Sequence, residues 1–342
     1  MRVARYYGSN DIRIEEMPVP GIGYGELLVR VVASGICGSD VMHWYREGRG
    51  PLVLGHEIAG EIAAVGDGVK TYRVGDRIAA SHHVPCNTCH YCINGHHTVC
   101  DTLRKTNFYP GGFSEYVRLP AINVDRGVYL LPGEVSFEEA TFIEPLACVC
   151  RGQRIAGTET GMSVLIIGSG ISGLLHIQIA RALGASLIVS SDIARYRLEA
   201  AKRFGADESI SANEDVPEMF KKMNKGRPAD VVILTTGAER AVIQAFHSVD
   251  RGGTILFFAP ANQGVTVPLP VNDLFWRNEI TLTSSYAANY KEHILAMELI
   301  HQGKIKVRDM ITHRLPLSET GRGFKLVEAA ADSIKVIIET AR

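Results

Sequence analysis

The sequence predicts an α/β chain of two domains, one rich in short strands and one built on a doubly wound parallel sheet. Three observations predict it. The chain has 342 residues, more than one typical domain and a usual length for two. Its texture changes near Ser163 and again near Ser285. A Gly168-x-Gly170-x-x-Gly173 run stands between an unbroken apolar run and a helical one, the context in which that spacing acquires meaning.

The elements follow in order. Up to about Leu131 the chain carries short β-like runs broken by glycine turns, including Glu26 to Ala33 (ELLVRVVA), Glu57 to Val65 (EIAGEIAAV) and Arg77 to Ala80. Such strands build a compact, largely β domain with a partly rolled sheet. Val164 to Ile167 (VLII) then reads as a strand buried on both faces. Leu174 to Leu183 has helical spacing, Leu187 to Ser190 is a strand and Arg195 to Phe204 a helix. Val231 to Leu234, Thr254 to Phe258 and Ile280 to Thr283 read as further strands. This alternation is the grammar of a parallel sheet with helices on both faces. Glu292 to His301 and Ser318 to Ala331 look helical, and Ile334 to Ile338 looks like a closing strand. That tail is too short for a third domain and returns to complete the first. The expected division is 1–147 with 286–342, and 148–285.

Composition narrows the function. A hydrophobic fraction of 46% is enough to fill two cores, and the net charge of −1 is spread along the chain. Neither nucleic acid nor an anionic membrane is expected as a partner. No stretch approaches the roughly 20 apolar residues of a membrane span, and the opening MRVARYYGSNDIRIEE lacks the apolar core of a signal peptide. A cytoplasmic location is the default, and there clustered cysteines bind metal more often than they form disulfides.

Four of the seven cysteines fall in fifteen residues, as Cys86-x2-Cys89-x2-Cys92-x7-Cys100. Four thiolates at this spacing can wrap one tetrahedral Zn²⁺. Such a site is closed to water and substrate, so its role is to staple a loop, and the chemistry must lie elsewhere. Three other stretches carry suitable groups: GICGSDVMH with Cys37, Ser39 and His43; LGHE with His56 and Glu57; and FIEPL with Glu144. One thiolate, one imidazole and two carboxylates are all acceptable to Zn²⁺, and three protein ligands with an open position make a catalytic site. Cys148 sits four residues after Glu144, on the same face of any helix that starts there, and reads as a small core residue.

In the run SVLIIGSGISGL, Gly168 permits the tight turn, Gly170 lets the backbone approach a pyrophosphate, and Gly173 lets helix and strand pack closely. Ile171 and Ser172 lie in the same loop, at the helix N-terminus that receives the negative charge. The next strand ends at Asp192, 19 residues after Gly173. A carboxylate there hydrogen-bonds ribose hydroxyls and repels a 2′-phosphate, which favours NAD over NADP. Arg195 and Arg197 follow closely, and Arg197 is taken with the cofactor-binding residues.

In combination, GICGSD with His43, GHE, the four-cysteine lobe, IEPL, and GSGISG with Asp192 resemble the zinc-containing medium-chain dehydrogenases, and among them the sorbitol (iditol) and threonine dehydrogenases. The resemblance covers essentially the whole chain. It implies a GroES-like catalytic domain with a Rossmann domain inserted before the C-terminal return. It also implies two zincs per chain. Cys37 and His56 match the family's catalytic-zinc ligands, Glu144 its third ligand position, and Glu57 a residue that binds the metal or shapes its surroundings. Ser39 matches the hydroxyl that takes the alcohol proton, and His43 the histidine that passes it on. Cys86, Cys89, Cys92 and Cys100 match the structural-zinc ligands. The implied reaction is hydride transfer between NAD and a secondary alcohol or its ketone, with a sugar alcohol or cyclitol first in line. A threonine-like amino alcohol and a phosphorylated sugar alcohol are the alternatives. Trp44, Tyr45, Phe113 and Glu115 are the expected neighbours of the substrate, and a homodimer or homotetramer is the implied assembly.

Overall fold

The computed structural model describes residues 1–340. The chain divides into two compact units, Met1–Ala147 with Ala287–Gly303 and Val307–Arg342, and Cys148–Tyr286 with Lys304–Lys306.

In the first unit the strand Leu27–Gly35 organises a mostly antiparallel seven-stranded sheet. One edge pairs with Glu57–Val65, which continues to Arg77–Ala80 and Val128–Leu130. The other edge is shared by Tyr116–Leu119 at its start and Lys335–Glu339 at its end. The closing strand does therefore return to the first unit, and it also pairs in parallel with Ile311–Pro316. Alternate residues of these strands, among them Leu27, Val29, Val31, Ile58, Ile62 and Ile78, point into one buried cluster, the inward half of the period of two. A second small sheet joins Arg2–Gly8 to Asp11–Glu16 and Leu52–Val53.

The second unit is a six-stranded parallel sheet in the order Glu208–Ser211, Leu187–Asp192, Ser163–Ile167, Ala229–Leu234, Val249–Phe257, Thr281–Ser284. In sequence order this is 3-2-1-4-5-6, the arrangement of a dinucleotide-binding doubly wound sheet. Ser163–Ile167 is buried at every position, as the VLII run requires. Leu165, Ile167, Val189, Val232, Leu234 and Phe220 share one core. The helix Ile171–Ala182 follows the first strand directly.

His176 of that helix is fully buried, edge-on to Phe258 at 4.6 Å, and neither ring nitrogen has a hydrogen-bond partner. Burial pushes its pKa down to about 3, against about 6.5 in an unfolded chain. Below pH 6.5 the unfolded chain takes up a proton that the folded one refuses, so stability falls as pH drops from about 6.5 toward 3. At pH 5 the loss is about 2 kcal/mol relative to pH 7.5. The melting temperature of His176→Leu, measured against the parent chain at both pH values, is expected to gain on it at pH 5.

Candidate active site

The pairing Gly35↔Glu57 between adjacent antiparallel strands builds the first half of the site. Cys37 follows the end of one strand, at the start of the short 3₁₀ helix Gly38–Asp40, and His56 precedes the start of the other. Residues distant in sequence are thereby set side by side. The donor atoms of Cys37, His56 and Glu57 all lie within 4.8 Å of one another.

Asp40, quoted in the motif but given no role there, sits behind His56. It is fully buried, with Oδ1 3.7 Å from His56 Nδ1 and 3.4 Å from Arg46 Nη2, while Oδ2 accepts the Cys37 backbone N–H at 3.1 Å. A carboxylate on Nδ1 leaves Nε2 of the imidazole for a metal. Burial alone would lower the His56 pKa, but Asp40, Cys37 and Glu144 override it and hold the ring well above its usual value. The carboxylates and thiol around His56 favour positive charge at this place, which a divalent cation would supply. Asp40→Asn is expected to weaken zinc binding at this centre by about 10–100-fold, read as faster zinc loss to a chelator.

Glu144 stands in the first turn of the helix Ile143–Ala156. It is not part of the three-donor cluster but lines, with Glu57, a crevice whose other walls include Ile58, Tyr129 and His293. Glu57 itself is engaged by Lys335, whose ammonium donates to Glu57 Oε2 and, at 3.3 Å, to the Ile36 carbonyl. Both side chains are about 1% exposed. Lys335 carries no signal in the sequence, because it reaches the site only through the closing strand.

The hydroxyl of Ser39 donates to Cys37 Sγ at 3.4 Å. His43 is more than half exposed and its Nε2 contacts Glu328 Oε1. Ser39 and His43 share no hydrogen bond among the described residues. His82 and His83 add little fixed charge in the sequence and carry no motif there. The His82 ring lies 4.6 Å from that of His56 and 3.8 Å from that of His83. Burial, then the charges of His83 and His56, keep its pKa well below normal.

Two expected substrate neighbours have other work. Phe113 is buried edge-on to Phe324 at 5.6 Å in a hydrophobic cluster, and Glu115 pairs with Arg2 at 2.8 Å while accepting its backbone N–H. The ring turns inward to the core and the carboxylate toward the N-terminal strand. Trp44 and Tyr45 lie on the short helix His43–Arg46 after the Cys37 motif, with Trp44 37% exposed.

The four-cysteine lobe is drawn together as its spacing requires. Cys86, Cys89, Cys92 and Cys100 lie within 4.8 Å of one another, with Sγ–Sγ distances of 3.6–4.0 Å and no disulfide. Backbone amides of Thr88 and Cys89 hold the Cys86 thiol down at about 5, whereas burial pushes Cys92 up to about 12. A set of four sulfurs with amide donors aimed at them fits a closed zinc site.

In the second unit Gly168 has φ +103°, which only glycine adopts without strain. A Cβ on Gly173 would fall 1.9 Å from the Gly168 carbonyl oxygen. Above Gly170 the space is open, with only the Arg197 guanidinium at 3.9 Å from a built Cβ. Ile171 and Ser172 open the helix capped by Gly170. Asp192 ends the neighbouring strand and is nearly buried. Its Oδ2 accepts the Ser169 N–H at 2.7 Å and its Oδ1 the Ala194 N–H at 2.9 Å. The carboxylate is fixed beside the glycine loop, where a dinucleotide's ribose would be met.

A parallel sheet of order 3-2-1-4-5-6 with a glycine loop, an antiparallel roll with an open Cys-His-Glu centre, and a closed four-thiol lobe together define a zinc- and nucleotide-binding dehydrogenase. The models of two protein families match the chain: alcohol dehydrogenase GroES-like domain over residues 23–127 and zinc-binding dehydrogenase over residues 172–302. The chain is 34% identical to sorbitol dehydrogenase of Bacillus subtilis (strain 168), over 94% of this chain and 91% of that protein. It is 31% identical to D-xylulose reductase A of Aspergillus oryzae, over 97% and 94%. A zinc-binding dehydrogenase of Sinorhizobium meliloti 1021, solved with NADP bound, superposes with a TM-score of 0.89 at 29% identity, over 99% of both chains. The chain belongs to the zinc-containing medium-chain alcohol dehydrogenase family and is an oxidoreductase. No helix among the described residues is long and apolar enough to cross a membrane.

Proposed function

We propose that the protein transfers a hydride between NAD and a secondary alcohol of the polyol class, a sugar alcohol or cyclitol. Residues 1–147 and 286–342 would form the zinc-bearing catalytic domain and 148–285 the nucleotide domain. The observation that carries this reading is the open Cys37–His56–Glu57 donor set, with Glu144 across the crevice, in one chain with the Gly168–Gly173 loop. Cys37 and His56 would hold a catalytic zinc, joined by Glu144 or Glu57, and Cys86, Cys89, Cys92 and Cys100 a second, structural one. Bound there, the catalytic zinc supplies Lewis-acid polarisation of the alcohol oxygen.

The protein's own groups then manage the proton. Ser39, beside Cys37, is the hydroxyl that would receive it. His43, half in solvent and held by Glu328, would release it to water. The polyol assignment draws support from the carboxylate-rich metal surroundings and from the two named relatives. NAD is preferred because Asp192 presents a fixed carboxylate beside the loop, which a 2′-phosphate would meet with like charge.

The test is reduction of NAD and of NADP with polyols, inositols, amino alcohols, phosphorylated sugar alcohols and simple secondary alcohols, repeated after dialysis against a chelator. The expected result is chelator-sensitive reduction of NAD by a polyol or cyclitol, with Asp192→Ala narrowing the gap between NAD and NADP. Turnover confined to amino or simple alcohols would overturn the substrate assignment, and turnover with NADP alone would overturn the nucleotide assignment.

A further inference from the structure

His293 lies on the helix Tyr290–His301 and is only 3% exposed. Its ring stacks on Tyr129 at 5.1 Å, with the two planes 6° apart. Nδ1 is 2.8 Å from the Asn289 carbonyl oxygen. A carbonyl only accepts, so Nδ1 carries the proton and Nε2 presents a bare lone pair. Burial keeps the ring neutral by pushing its pKa down to about 4. That leaves a buried acceptor, and Nε2 has no partner. Buried acceptors without partners are uncommon, because each forfeits its hydration.

The surroundings of this ring give the lone pair a use. His293 forms one wall of the crevice that Glu57 and Glu144 also line. Those two carboxylates carry no proton to offer when ionised, and the stacked Tyr129 ring presents its face rather than its hydroxyl. Of the remaining walls, Ile58, Ala79, Ala80, Ala140 and Ile143 are apolar, and the Thr141 hydroxyl already donates to the Glu138 carbonyl at 2.7 Å. A backbone carbonyl on one nitrogen and a bare second nitrogen is also how imidazoles are prepared near metal centres. What is missing is an O–H donor.

We propose that His293 is a positioning residue of the catalytic centre, whose Nε2 accepts a hydrogen bond from a hydroxyl admitted to the crevice. The proposal rests on the dehydrogenase reading and deepens it. The hydroxyl has two sources, a second hydroxyl of the substrate or a water of the site, and the test separates them.

Two variants are compared with the parent chain. His293→Phe keeps an aromatic ring for Tyr129 and removes the acceptor, while His293→Gln restores an acceptor oxygen. Both are expected to keep two zincs and a melting temperature near that of the parent. His293→Phe is expected to lower kcat/KM for a vicinal diol about tenfold, and His293→Gln to recover most of it. A loss confined to the diol, with a monohydric secondary alcohol of the same skeleton unaffected, assigns the hydroxyl to the substrate. An equal loss on both alcohols, together with a changed visible spectrum of the Co²⁺-substituted enzyme before substrate is added, assigns it to water. Unchanged kcat/KM on both alcohols with an unchanged cobalt spectrum would overturn the proposal. A His293→Gln variant as impaired as His293→Phe would overturn it too, since packing alone would then explain the loss. Should the parent chain oxidise no alcohol at all, the dehydrogenase reading fails by itself, and the cobalt spectra of parent and His293→Phe still decide the role of His293.

Discussion

Lys335→Met is expected to destabilise the first unit by about 3–5 kcal/mol, the usual cost of removing one partner from a buried ion pair. The pair with Glu57 is almost wholly shielded from water, so the stranded carboxylate has no solvent to turn to. The Phe142 ring, 5.5 Å from the ammonium, and the Ile36 carbonyl lose their cation as well. The measure is denaturant unfolding followed by a probe in the first unit. Adding Glu57→Gln to Lys335→Met is expected to recover more than half the loss, because the deficit belongs to the uncompensated charge. Equal destabilisation in the single and double variants would mean that the ammonium acts by packing. Gly35→Ala should mimic part of the effect with both charges kept, since its Cβ would fall 2.2 Å from Glu57 Oε2 and 2.6 Å from Lys335 Cε.

Cys37→Ala is expected to reduce bound zinc from two per chain to one and to lower kcat/KM at least about a thousandfold, the scale of losing metal-assisted charge stabilisation. Fold should survive, because Cys37 lies beyond the strand Leu27–Gly35, whose pairing with Glu57–Val65 and Lys335–Glu339 does not involve its side chain. Cys100→Ala should show the opposite split. Among the described residues, only Leu103 and partly buried Ala287 join the cysteines of the lobe in their apolar cluster, so loss of its metal is expected to lower the melting temperature first. Metal analysis of both variants, beside turnover and melting curves, separates the two centres. Two zincs retained in Cys37→Ala would contradict the ligand assignment.

The parts of the site written as local patterns were legible in the sequence. The cysteine lobe, the glycine loop and the strand Glu57–Val65 each depend on neighbours within a few residues, and spacing alone exposes them. The strand Glu208–Ser211 was not legible, being a four-residue edge strand of sequence ESIS with no apolar run. Neither was the first hairpin, whose second strand, DIRIEE, has no buried position. What surrounds the metal donors was hidden for another reason. Lys335 meets Glu57 across 278 residues, and Glu328 meets His43 across 285. No periodicity announces such meetings, because they follow from sheet register and helix packing. Asp40 lay within a quoted motif, yet its role became visible only when the strand pairing brought His56 beside it. Phe113 and Glu115 failed as substrate neighbours because nearness to a motif in sequence says nothing about which way a side chain turns.

The closing strand carries a consequence for how the protein is made. Lys335–Glu339 pairs with the very end of Leu27–Gly35, Ile337 opposite Gly35, and delivers the cation that balances Glu57. During synthesis the N-terminal strands emerge first, and the whole nucleotide-binding unit is made before residue 335 leaves the ribosome. Until then the nascent catalytic roll has an unpaired strand end and a carboxylate with no counter-ion. The Cys37–His56–Glu57 centre is thus expected to be completed only after the nucleotide-binding unit has been made, whereas the cysteine lobe, contiguous from Cys86 to Cys100, would be able to take up a metal earlier on the growing chain.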